Sequence, residues 1–160
     1  MKILLLDDDI DCLDGLATAL EPSGHMCDSF TVPEKALDAY QQNQYDVVIT
    51  DMKMPGMNGI EVLKKIRSLN PEARVIIVTG YGDVETAIAA VNNKAYAFFG
   101  KPIDINDLME TLTKIESEIS GQTKAKIEHA RLAMEYARLK QAYEDLQKLF
   151  LKNKGDKVDK

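Results

Sequence analysis

Val47-Val48-Ile49-Thr50-Asp51-Met52-Lys53-Met54-Pro55-Gly56 is the stretch on which the fold turns. An apolar, β-branched run stops on a carboxylate, and a Pro-Gly turn signal follows within five residues. A strand with no polar face belongs in a parallel sheet covered by helices on both sides. Asp is a common turn residue, so Asp51 alone decides nothing. If the strand is buried, however, its tip holds a carboxylate rigid, where chemistry can be done on it.

The pattern repeats to either side. Lys2–Leu6 (KILLL) and Arg74–Thr79 (RVIIVT) are apolar runs like Asp46–Thr50, while His25–Phe30 and Ala95–Phe99 (AYAFF) are weaker strands. Helical spacing intervenes each time: Ile10, Leu13, Leu16, Ala17 and Leu20; Glu34–Gln42, opened by Thr31 and Pro33; and Gly59–Leu69. Asp83–Val91, with Asp83 as N-cap, and Ile105–Ile119 complete the set. The order βα, five times over, predicts an α/β fold with a doubly wound five-stranded parallel sheet. Such sheets work at the carboxyl ends of their strands. Those ends carry Asp7, Asp8 and Asp9, then Thr50-Asp51, then Thr79-Gly80, then Lys101-Pro102.

Composition narrows the choices. The 160 residues are 45% hydrophobic and 29% charged, an ordinary globular mix, and no apolar run approaches the ~18–20 residues that span a bilayer. The N-terminus is too short in apolar residues for a signal peptide, so the cytoplasm is expected. Cys12 and Cys27 form no CxxC and have no nearby His cluster; they read as small buried hydrophobes. Residues 1–120 carry 20 acids against 10 lysines and arginines, whereas residues 121–160 carry 6 against 10. An acidic body disfavours direct nucleic-acid binding and suggests that the two stretches have separate jobs.

Clustered carboxylates repel by about 4 kcal/mol per pair at ~4 Å in an effective dielectric near 20. A hard cation such as Mg²⁺ relieves this and keeps open positions for phosphate oxygens. A lysine supplies a compact charge for a phosphoryl oxygen, a threonine a hydrogen bond, and an aspartate a nucleophile for acyl-phosphate formation.

LLLDDD, VVITDMKMPGMNG, VIIVTGYGD and AYAFFGKP, in this order, resemble the receiver domain of two-component response regulators over about residues 1–120. The resemblance implies the flavodoxin-like version of the fold. It implies that Asp51 is the phosphoacceptor and that Asp7, Asp8, Asp51 and the backbone carbonyl of Lys53 hold Mg²⁺, Asp8 most directly. Thr79 and Lys101 would hold the phosphoryl group, Thr79 and Phe98 would act as the switch, and Lys101–Pro102 would be cis. Lys53 and Tyr81 would flank the site, at positions that in the family tune dephosphorylation. The implied donor is a sensor histidine kinase or a histidine phosphotransfer protein, and the implied chemistry is confined to the chain's own aspartate. Asp9 and Asp11 read as helix caps or first-turn acids, and Tyr96 and Phe99 as core aromatics. Lys94 departs from the family, which often has Gly there. A second resemblance, Asp7–Asp9 as the DxD of haloacid-dehalogenase-type phosphatases, would make Asp7 the nucleophile. It lacks a later strand ending in paired acids.

Beyond Gly121, a plausible bend or break, Ala125, His129, Leu132, Tyr136, Leu139, Tyr143, Leu146 and Phe150 recur at alternating steps of four and three. That is a heptad seam, flanked by Glu128 and Glu135 on one side and Lys126 and Lys140 on the other. The expectation is a receiver at 1–120, a long C-terminal helix at 121–152 that forms a homodimeric coiled coil through 125–150, and a polar tail at 153–160. A chain of this design can also be the receiver portion of a longer transcriptional regulator.

Overall fold

A computed structural model describes the backbone of residues 1–80 and 84–155, and side chains at 1–80, 87–141, 143 and 144. Tyr81, Asp83 as a helix cap and the tail from residue 156 lie outside the described residues, as do the side chains of Leu146 and Phe150. The chain divides into two units, Met1–Leu112 and Thr113–Lys160.

In the first unit β1 (Lys2–Leu6), β2 (Met26–Phe30), β3 (Val47–Asp51), β4 (Val75–Thr79) and β5 (Ala97–Gly100) form one parallel sheet in the order β2-β1-β3-β4-β5. The connections are α1 (Ile10–Leu20), α2 (Pro33–Gln42), α3 (Gly59–Leu69) and α4 (Val84–Asn92); α5 (Ile105–Gly155) follows β5. The expected doubly wound α/β fold is therefore the observed one. β3 and β4 are buried at every residue, as their uniformly apolar sequences require. Leu4, Leu6, Val48, Val75 and Ile77 share one core with Val62, Leu63 and Ile66 of α3. The alternate strand residues Leu5, Ile49 and Val78 share a cavity wall with Leu13 and Leu16 of α1 and with Ile105. Burying a side chain of this size is worth roughly 1.5–3 kcal/mol, so these two layers hold the strand ends in place.

Several local readings shift. α1 stops in a 3₁₀ turn, Glu21–Ser23, closed by Gly24 at φ 76°. α2 begins at Pro33 behind Val32, with no side-chain cap. β5 starts two residues later than the expected Ala95. Lys94 is left-handed (φ 60°) and donates its N–H to Val91, while the Ala95 N–H reaches Ala90, so both residues finish α4. Cys12 is exposed and Cys27 half-buried, against the expectation that both are core. Tyr96 and Phe99 are half-buried, not full core members.

The second unit is helical from Thr113 to Gly155. The helix runs through Gly121, so the expected break there is not found. Nothing in a lone glycine forbids this: glycine costs a helix interior about 1 kcal/mol, which flanking helix formers offset. Among the described residues, no helix is long and apolar enough to cross a membrane.

Candidate phosphoacceptor site

Strand register builds the site. Leu6 lies beside Thr50, Asp51 beside Val78, and Thr79 beside Gly100. Asp7 and Lys101, each one residue past its strand, therefore converge with Asp51 on the β1/β3 switch point and its neighbours. The Lys101 ammonium lies 2.6 Å from Asp7 Oδ2 and 2.7 Å from Asp51 Oδ1. Both carboxylates are buried, at 8% and 7% exposure, so each is held away from water and answered by the same cation. Burial opposes the charge on Lys101, but the hydrogen bonds and charges of Asp51 and Asp7 outweigh it and lift the ammonium above its ordinary range. These three residues stand at the wall of a cavity of about 610 Å³, which gives a reactant access to them.

The remaining oxygens are also engaged. Asp51 Oδ2 accepts the Lys53 N–H at 2.6 Å, and Asp7 Oδ1 accepts the Asp9 N–H at 3.0 Å. Asp51 is therefore gripped at both oxygens, with its rotamer fixed. Asp8 is exposed, and no hydrogen bond or ion pair is found for it among the described residues. Thr79 is buried at the end of β4, and its carbonyl accepts the Lys101 N–H at 2.7 Å. Phe98 is partly buried against the core, beside Ile77 in register. Lys101–Pro102 is cis, as the resemblance implied. Asp9 caps α1 by accepting from the Asp11 and Cys12 amides, and Asp11 sits in the first turn, as expected.

The oxygen-only donors Asp7, Asp8, Asp51 and the Lys53 carbonyl fit a hard cation such as magnesium in kind. Among the described residues, no three acidic, His or Cys side chains already converge as a metal centre. Asp7 and Asp51 are gathered by Lys101 instead.

One positioning residue escaped the sequence reading. A Cβ on Gly59 would stand 2.5 Å from the Asp51 carbonyl oxygen and 3.1 Å from the Met52 Cα. The Gly59 N–H donates to the Met52 carbonyl at 3.0 Å, so α3 begins pressed against the segment that presents Asp51. Asn58 and Glu61 close this helix end with a reciprocal capping box. Asn-x-x-Glu ahead of an apolar run was the available signal for the cap. The need for glycine left none.

Residues 3–113 match the family model described as the response regulator receiver domain. The C4-dicarboxylate transport transcriptional regulatory protein DctD of Rhizobium meliloti strain 1021 is 33% identical over 143 residues, 89% of this chain and 29% of that protein. A response regulator receiver domain protein from Clostridium thermocellum superposes with a TM-score of 0.71 at 33% identity, covering 74% of this chain and 96% of that one. The response regulator protein TrrA from Thermotoga maritima, solved in complex with Mg²⁺-BeF, gives 0.65 at 29% identity, covering 71% and 97%. The chain spans little more than a quarter of the curated relatives it matches first.

Proposed function

The chain belongs to the response regulator receiver domain family, a signalling switch, and from that membership we propose that Asp51 is the residue on which it is phosphorylated. The observation that carries this is the Lys101 ammonium held between Asp7 and Asp51. A carboxylate of Asp51 attacks the phosphorus of a phosphohistidine on a sensor histidine kinase or histidine phosphotransfer protein. The O–P bond forms as the P–N bond breaks, and the imidazole keeps the electron pair and takes up a proton. Water later attacks the same phosphorus and returns the carboxylate and free phosphate. The chemistry acts on the chain's own aspartate, with no external substrate turned over.

Lys101 is placed to follow the new phosphoryl oxygens, and the Thr79 hydroxyl to donate to one of them. Asp7, Asp8, Asp51 and the Lys53 carbonyl would hold Mg²⁺, which when bound neutralises charge on the phosphoryl oxygens. The Mg²⁺-BeF complex of TrrA supports that choice of metal. Inward movement of Thr79 would free space for Phe98 and change the surface offered to a protein partner. Donors of this kind carry their phosphohistidine in the cytoplasm, the compartment proposed for this chain. Output passes through protein contacts and not direct nucleic-acid binding, and the 125–150 seam joins two copies. The short coverage of its relatives is equally consistent with the alternative that this chain is the receiver portion of a longer transcriptional regulator. The phosphatase alternative finds no support in the family match.

A small-molecule phosphodonor with magnesium should label Asp51, and Asp51→Asn and Asp8→Ala should abolish the label. Undiminished labelling of Asp51→Asn sinks the assignment, and a label mapped to Asp7 revives the phosphatase reading. Thr79→Ala should still accept phosphate but lose phosphorylation-dependent partner binding. For the pairing, light scattering should give a dimer mass at high concentration for the full chain and a monomer mass for Leu139→Asp. A monomer in both removes the homodimer.

A further inference from the structure

Leu132, Tyr136, Leu139 and Tyr143 are 56%, 71%, 70% and 62% exposed on α5. Large side chains on one stripe of a helix are thus left uncovered, and a lone helix with such a stripe is marginal in water. We propose that this stripe pairs with a second copy in parallel and in register, with Glu135 of each chain meeting Lys140 of the other. This rests on the homodimer reading above and adds the orientation.

The argument is one of charge. In the heptad, Ala125, Leu132 and Leu139 take d, and His129, Tyr136 and Tyr143 take a. Up to Tyr143 the g positions are then Gly121, Glu128, Glu135 and Ala142, and the e positions Lys126, Ala133 and Lys140. In a parallel pair each g residue meets the e residue five places on in the other chain. Gly121 meets Lys126, Glu128 meets Ala133, and Glu135 meets Lys140, so every contact is neutral or attractive. In an antiparallel pair g meets g and e meets e. All charged g residues here are acidic and all charged e residues basic, so no antiparallel register yields an attractive pair and several set like charges together. A different protein as occupant would give no reason for acids and bases to be segregated in the one pattern that suits a parallel copy of itself.

Cross-linking of the full chain tests the orientation. In a Cys12→Ser, Cys27→Ser background, Ala125→Cys and Leu139→Cys are made separately. The two sites are about 21 Å apart along the helix, too far for one disulfide to serve both. A parallel, in-register pair predicts that each variant alone forms a disulfide-linked dimer under mild oxidation. It also predicts that a mixture yields no 125-to-139 link. Cross-linking only in the mixture, or in just one variant alone, overturns the orientation while leaving the dimer standing. No cross-link together with a monomer mass by light scattering overturns the dimer as well. As a second arm, Glu135→Lys and Lys140→Glu should each weaken the dimer about tenfold, and the double exchange should restore it. Failure of the double exchange to restore pairing counts against the Glu135–Lys140 contact.

Discussion

An alanine at position 59 would push its Cβ to 2.5 Å from a carbonyl oxygen that cannot move without moving Asp51. Overpacking of this kind costs typically 1–3 kcal/mol. Gly59→Ala should therefore lower the thermal midpoint by several degrees and slow phosphodonor labelling, whereas the same change at Gly15, which has open space around its Cβ, should leave labelling alone. Lys94 is the converse. It sits at φ 60°, where a side chain costs roughly 1–2 kcal/mol and glycine nothing. Allowing for glycine's greater freedom when unfolded, Lys94→Gly should stabilise the chain by about 0.5–1 kcal/mol in denaturant titration. The sequence marked Lys94 as unusual but could not say why; the helix-ending turn supplies the reason. It was silent on Gly59, because a contact made through an absent side chain has no composition or period to betray it. Asp7, Asp51 and Lys101, by contrast, were legible, since each follows directly from where an apolar strand ends.

Among the elements, β3 and β4 announced themselves because burial on both faces demands an unbroken apolar run. The edge strand β2 is only half-buried, and its sequence is correspondingly weak. Its position is reinforced by polar contacts instead: Tyr45 donates to Asp28 at 2.7 Å, and the Lys2 ammonium pairs with the same carboxylate at 3.0 Å. The Tyr45 hydrogen bond first, and Lys2 second, hold the Asp28 carboxyl below its usual range. Burial and the same hydrogen bond push the Tyr45 hydroxyl up to about 12. A carboxyl lowered by folding stabilises the fold above its unfolded value, and that contribution disappears as pH falls through its folded value. Tyr45→Phe should thus lower the melting temperature near neutral pH, with the difference from wild type shrinking below about pH 4. The ring stacks on Tyr40 with centroids 6.2 Å apart and is kept in phenylalanine, so a pH-independent difference would show that the hydroxyl acts otherwise than through the Asp28 charge. The misplaced start of β5 has the same physical root as the weak signal in β2. Short apolar residues such as Ala95 serve a helix end as readily as a strand, and only the turn decides.

For the molecule as a whole, sequence alone separated an acidic receiver from a basic, heptad-patterned helix, because charge and period both change along the chain. It could not foresee an unbroken helix at Gly121, where a 1 kcal/mol preference yields to its context. The exposed stripe on that helix has a consequence measured in time. Backbone amides of a lone marginal helix open and exchange their hydrogens with solvent almost freely, while those of fully buried strands wait for global unfolding. If the stripe is covered only by a second copy, amides between 125 and 143 can exchange only when the pair has come apart. Their exchange in deuterated water should slow as protein concentration rises, and Leu139→Asp should erase that dependence. Ile49 and Ile77, in the centre of the sheet, should keep one rate throughout. Exchange that ignores concentration in the helix as well would show that nothing covers the stripe at the concentrations used. The uncovered side chains thus make each amide along the helix a clock for how long two chains stay together.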